Sequence, residues 1–134
     1  MRKGNHNTLG KSLKVLLEEK AELEKNEKDT DLGYSLKDYV EAELKQKADM
    51  LFKDGIKQLK QKELIEAMGL FKAVLCLVPQ HGKAMNNLAL TLYNLGYKRK
   101  AFKTLHELLK IHPEDDTAKE NLNIIGAELK NGKE

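Results

Sequence analysis

The chain has no tryptophan, one cysteine, two prolines and two arginines, and each scarcity excludes something. A single cysteine cannot form an internal disulfide, so a reducing, cytoplasmic compartment is expected. Within LFKAVLCLVP, Cys76 reads as a small core hydrophobe. Arg2 and Arg99 are the only arginines among 24 basic residues, and the formal net charge is just +3 despite a pI near 8.8. The bidentate forks that read phosphates and base edges are therefore almost missing, and no nucleic-acid partner is expected. Nowhere do 18 apolar residues follow one another, and MRKGNHNTLGKSLKVLLEEKAE lacks an apolar run of signal-peptide length, so no membrane segment is expected. Also missing are HExxH, a Cys/His cluster and a phosphate loop of the form GxxxxGK[ST]. His106 and His112 lie six apart, a spacing that does not place two metal ligands on one helix face, and with His81 they read as surface or turn residues. No catalytic residue, metal or cofactor is expected, and the chain does not read as an enzyme.

What is present begins with the two prolines. Pro79 and Pro113 stand 34 residues apart, and the same offset pairs Leu51 with Met85, Gly55 with Ala89, Ala67 with Ala101, Phe71 with Leu105, Leu75 with Leu109 and Leu77 with Ile111. An internal period of this length, with small residues at fixed places and a proline at its end, marks a stacked helix-turn-helix unit.

Hydrophobic spacing supplies the helices. Leu9, Leu13, Leu16, Leu17 and Leu23 predict an amphipathic helix over about Thr8–Lys28, followed by a connector with turn residues Asp29 to Gly33. Ser35 and Asp38 resemble a capping box, which predicts a second helix of about 25 residues starting near Leu36. Shorter helices follow over Glu63–Leu77, Gly82–Leu95, Lys98–His112 and Asp115–Lys130, punctuated by Pro79, Gly96 and Pro113. The expected organisation is an N-terminal helix and connector (1–34) ahead of a helical domain (35–134), with repeats at about 48–81 and 82–115 and a capping helix at about 115–130. The fold class is all-α.

Residues Ala48 to Pro79 and Gly82 to Pro113 resemble the tetratricopeptide repeat (TPR) family over about half of the chain. The family places a large apolar residue at position 4, a small one at 8, Ala at 20, an aromatic or Leu at 24 and Pro at 32. Leu51, Gly55, Ala67, Phe71 and Pro79 hold those places in the first repeat, and Met85, Ala89, Ala101, Leu105 and Pro113 in the second. The resemblance implies an α-solenoid, a right-handed superhelix of antiparallel helix pairs that approach closely where the small residues lie. The first repeat departs from the pattern at Asp54 and at Lys62, where the family often has a turn glycine.

In this family the first helix of each pair lines a concave face. Carried over, those positions are Asp49, Phe52, Lys53, Ile56, Leu59 and Lys60, then Lys83, Asn86, Asn87, Leu90, Tyr93 and Asn94, with Glu120, Asn121 and Ile124 from the capping helix. The expected partner-binding residues are Phe52, Lys53, Ile56, Leu59, Asn86, Asn87, Leu90, Tyr93, Asn94 and Asn121, an apolar floor with amides that suit an extended peptide or a helix. Members that hold the acidic tails of heat-shock chaperones use a Lys/Asn/Asn/Lys/Arg clamp. Phe52, Ile56, Asn87, Thr117 and Asn121 stand at those positions here, only Asn87 agrees, and such a tail is not expected to bind. The expected function is a non-enzymatic adaptor or chaperone-like interaction module, monomeric or weakly dimeric. The alternative is a structural protein that self-assembles through its N-terminal helix.

Overall fold

The computed structural model describes residues 12–25 and 31–132, with the backbone alone over 31–35. Six α-helices make up the described chain, and no strand occurs among these residues: α1 (Leu13–Lys25), α2 (Asp31–Lys60), α3 (Leu64–Leu77), α4 (Gly82–Asn94), α5 (Lys98–Ile111) and α6 (Asp116–Lys130). The chain divides into two compact units, one up to Met50 and the other from Leu51 onward, so that the division falls inside α2.

In the first unit, Ser12 starts α1. Its hydroxyl accepts from the Val15 amide at 3.2 Å, satisfying a donor that a helix start leaves without an intrahelical partner. The predicted stretches Thr8–Lys11 and Asn26–Lys28 lie outside the described residues. One expectation is corrected: α2 begins at Asp31, so Asp31 to Gly33 are helical rather than a connector, and Ser35 lies inside the helix instead of capping it. A glycine inside a helix costs only about 1 kcal/mol relative to alanine. Gly33 is thus no barrier to a helix that runs for 30 residues.

The second unit holds the repeat. Its core joins Ala67 and Phe71 of α3, Met85, Leu88, Ala89 and Leu92 of α4, Ala101, Leu105 and Leu108 of α5, and Ala118 and Ile125 of α6, with Phe52, Ile56 and Leu59 of α2 packed against it. Helix α3 contacts α4, α4 contacts α5, and α5 contacts α6. Ala67 and Ala101 are fully buried, as the small-residue positions require. Cys76 is corrected from core to surface: it is exposed. Ala67, Phe71 and Val74 define the buried face of α3, and Cys76, nine residues after Ala67, falls about 180° from them at 3.6 residues per turn.

The backbone repeats with the sequence. At the first inter-helix turn, Lys62 N–H donates to the Leu59 carbonyl and Glu63 N–H to that of Gln58; 34 residues on, Gly96 donates to Tyr93 and Tyr97 to Leu92. The helix ends match too, Val78 donating to Val74 and His112 to Leu108. So do the caps: His81 Nδ1 accepts from Ala84 N–H at 3.0 Å, and Asp115 Oδ1 accepts from Ala118 N–H at 2.9 Å. Helix α6 therefore starts where a third unit would start. Thirty-four residues after the core residues Met85 and Ala89, α6 carries the exposed Lys119 and Asn123. α6 is thus polar at these two places.

The turn of the first unit of the repeat is strained where that of the second is not. Lys62 has φ 62° and its counterpart Gly96 has φ 95°, a region that glycine enters without steric penalty and a side chain does not. Lys62→Gly should accordingly raise stability by about 0.5–1 kcal/mol. Urea titration followed by circular dichroism would measure it, and an unchanged midpoint would show that the lysine bears no strain.

Candidate functional site

Helix α4 presents its inner face to the core through Ala84, Met85, Leu88, Ala89, Thr91 and Leu92. Thr91 is buried without penalty because its hydroxyl donates to the Asn87 carbonyl at 2.7 Å. One edge of this face does not close. Ala89, Leu90 and Tyr93 of α4, Leu105 of α5, and Asn121, Ile124 and Ile125 of α6 enclose a cleft of about 210 Å³. The methyl of Ala89 leaves room at its base. Leu90 and Ile124, 34 residues apart, form its mouth and remain 45% and 52% exposed. Large aliphatic side chains so open to water on both lips of an apolar cleft favour burial by another molecule.

One side of the cleft is fixed by a polar latch. The Tyr93 hydroxyl donates to Glu128 Oε2 at 2.7 Å, Lys98 Nζ lies 2.8 Å from Glu128 Oε1, and the same ammonium sits 5.5 Å from the Tyr93 ring centroid. The hydrogen bond to Glu128 raises the Tyr93 pKa above its ordinary value; burial and the negative charge of Glu128 act in the same direction, against a smaller opposing effect of Lys98. The phenol thus stays a donor at neutral pH and holds its ring as a wall of the cleft.

The predicted site residues separate into four groups. Leu90, Tyr93 and Asn121 come together at the cleft. Phe52, Ile56 and Leu59 are half-buried against the core, and the Phe52 ring lies 5.8 Å from that of Phe71 and 5.1 Å from that of His81, so it serves the packing of α2 on α3. Lys53 and Asn94 are exposed. The two amides expected to greet a peptide backbone are engaged within the chain: Asn86 Nδ2 donates to Asp115 Oδ2 at 2.9 Å, and Asn87 Nδ2 donates to the Lys83 carbonyl at 2.8 Å. Asn86 Oδ1 is buried with no partner among the described residues. Ala89, Leu105 and Ile125 at the base, and the Glu128–Lys98 pair behind Tyr93, were not expected at the site. The first three read from sequence as packing residues, and no local motif signals the pair.

Among the described residues, no group of three or more His, Cys, Asp or Glu side chains converges as metal ligands would. No helix among them is long and apolar enough to cross a membrane. No protein-family model matches the chain, and no curated protein does either.

Proposed function

We propose that residues 51–132 form a tetratricopeptide-type array, two helix pairs closed by α6, that acts without catalysis as a protein-interaction module, an adaptor or chaperone-like unit seating a peptide or helix of a partner protein. The observation that carries this reading is the cleft between α4, α5 and α6 with Leu90 and Ile124 exposed on its lips. The 34-residue recurrence of turn bonds and caps supports the family reading. An apolar cleft of this size accepts one or two aliphatic or aromatic side chains, and Asn121 at its edge can hydrogen-bond the backbone that bears them.

Leu90→Glu with Ile124→Glu should abolish such binding while the fold survives, because both side chains are solvent-exposed. Peptides selected from a random library on the native protein should bind the double variant at least tenfold more weakly in fluorescence anisotropy. Equal affinity would place their site elsewhere.

Self-assembly through the N-terminal unit is a second reading, favoured by a separate observation. Leu36 and Tyr39 are 55% and 68% exposed, beside an apolar cleft lined by Leu23, Leu36, Tyr39 and Val40 together with Glu19, Glu22 and Glu43. Side chains of this kind on one face mark interaction surfaces. On this reading light scattering should give a dimer mass for the native chain and a monomer mass for Leu36→Glu/Tyr39→Glu. A native monomer at 100 µM or so would remove it, since weak but specific dimers populate at about that concentration.

A further inference from the structure

Helix α5 carries Lys98, Arg99, Lys100, Lys103 and Lys110 against Glu107 alone, five positive charges and one negative. Its net of +4 exceeds the +3 of the entire chain. The helix turns Ala101, Leu105 and Leu108 into the core. At 100° per residue, Arg99, Lys103, His106 and Lys110 all lie opposite that face, in one line about 17 Å long. All four are exposed. The result is a cationic ridge on the side of α5 turned away from the cleft, to which this helix contributes Leu105.

The chain's own carboxylates neutralise this ridge only in part. Lys98 is bound to Glu128 and belongs to the latch rather than to the ridge. Lys110 and Glu107 lie 3.6 Å apart, but their side chains are 61% and 49% exposed, so the pair is weak and opens readily. Lys100 stands over the Tyr97 ring, 5.3 Å from its centroid, a contact that leaves its charge in place. No carboxylate among the described residues pairs with Lys100 or Lys103.

We propose that the outer face of α5 docks an Asp/Glu-rich segment of a partner protein, at a surface separate from the cleft. Lys103 and Lys110 stand seven residues apart, two helical turns, with Lys100 beside them, and an acidic helix with carboxylates two turns apart would meet the pair. Phosphates fit less well. The ridge holds one arginine, so bidentate contacts are scarce. The Phe102 ring is stacked on His106 and the Tyr97 ring lies under Lys100, so each ring near the ridge already carries one contact. Arg99, Lys100, Lys103 and Lys110 are four cations, fewer than the roughly 6–10 phosphate contacts of a strong duplex binder.

The test uses the full chain and fluorescein-labelled (Glu)20 in anisotropy titrations. Binding is expected at 50 mM NaCl, at least tenfold weaker at 300 mM, and at least tenfold weaker for Lys100→Gln/Lys103→Gln/Lys110→Gln at the lower salt. Lys53→Gln/Lys57→Gln/Lys60→Gln, which removes the same charge elsewhere, should bind within twofold of the native protein. So should Leu90→Glu/Ile124→Glu, which keeps the ridge intact whether or not the cleft has a ligand. Charge reversal by Lys100→Glu/Lys103→Glu/Lys110→Glu should create binding to (Lys)20. The proposal is overturned if the native chain does not bind (Glu)20 at 50 mM NaCl, or if the α5 triple variant binds within twofold of it. It is equally overturned if duplex DNA or phosphatidylserine vesicles bind the native chain at least tenfold more tightly than (Glu)20, which would assign the ridge to phosphates.

Discussion

Replacing Phe71 by alanine should lower the unfolding free energy by about 3–5 kcal/mol, because a fully buried aromatic leaves both its transfer energy and a cavity behind. Phe71 is the largest of the fully buried side chains and sits in the core that α2 to α6 share. Its ring meets the Phe52 ring at a 53° tilt, within the range of favourable aromatic pairs, and lies directly against Gly55. Small domains have about 5–15 kcal/mol of stability in total, so the variant should lose a large part of its folded population near 37 °C. Urea denaturation followed by far-ultraviolet circular dichroism would give the change in midpoint. A loss below about 1 kcal/mol would mean that the site collapses freely, contrary to a packed crossing of α2 and α3.

Most of this crossing is visible in the letters, and the reason is steric. Two helices can approach closely only where side chains are small, so Gly55, Ala67, Ala89 and Ala101 had to be small and had to recur with the same period as the prolines that end α3 and α5. Helix ends were legible for the same kind of reason, since Gly96, Pro79 and Pro113 act through their own backbone. Ser35 misled because a capping residue only permits a helix start, and the hydrogen bonds of a longer helix can override it. Cys76 misled because its neighbours in sequence are apolar, whereas burial on a helix follows the residues three and four away.

The candidate site was legible only in part, and the division again has a physical cause. Leu90 and Tyr93 were found because the repeat fixes which side of α4 they occupy. Ile56 and Leu59 occupy the corresponding places on α2, and Phe52 that of Asn86, yet all three pack against the core. Whether a side chain at such a place lines a cleft or fills a gap depends on the volumes around it. Phe52 has the Phe71 and His81 rings to pack on, whereas Leu90 borders the space left by the methyl of Ala89. The latch between Tyr93 and Glu128 spans 35 residues and rests on side-chain geometry that no local pattern encodes.

Gly55→Ala and Gly69→Ala should change stability in opposite directions, although both place the same methyl inside a helix. At Gly55 a Cβ would lie 2.6 Å from Phe71 Cε1, 3.0 Å from Cδ1 and 3.1 Å from Cζ, and the ring is fully buried. Overpacking of this kind costs about 1–3 kcal/mol, which outweighs the roughly 1 kcal/mol that alanine gains over glycine in helix propensity. At Gly69 a Cβ would meet nothing within 4 Å, so the propensity gain stands alone and the variant should be more stable by about 0.5–1 kcal/mol. Equilibrium urea curves for the two variants would test the pair. Coupling supplies the sharper check. If the cost at Gly55 arises from the Phe71 ring, it should shrink by about 1 kcal/mol or more in a Phe71→Leu background, as interaction energies between touching residues do. If the two substitutions add independently, the ring is not what keeps residue 55 small, and the close approach of α2 to α3 would need another cause.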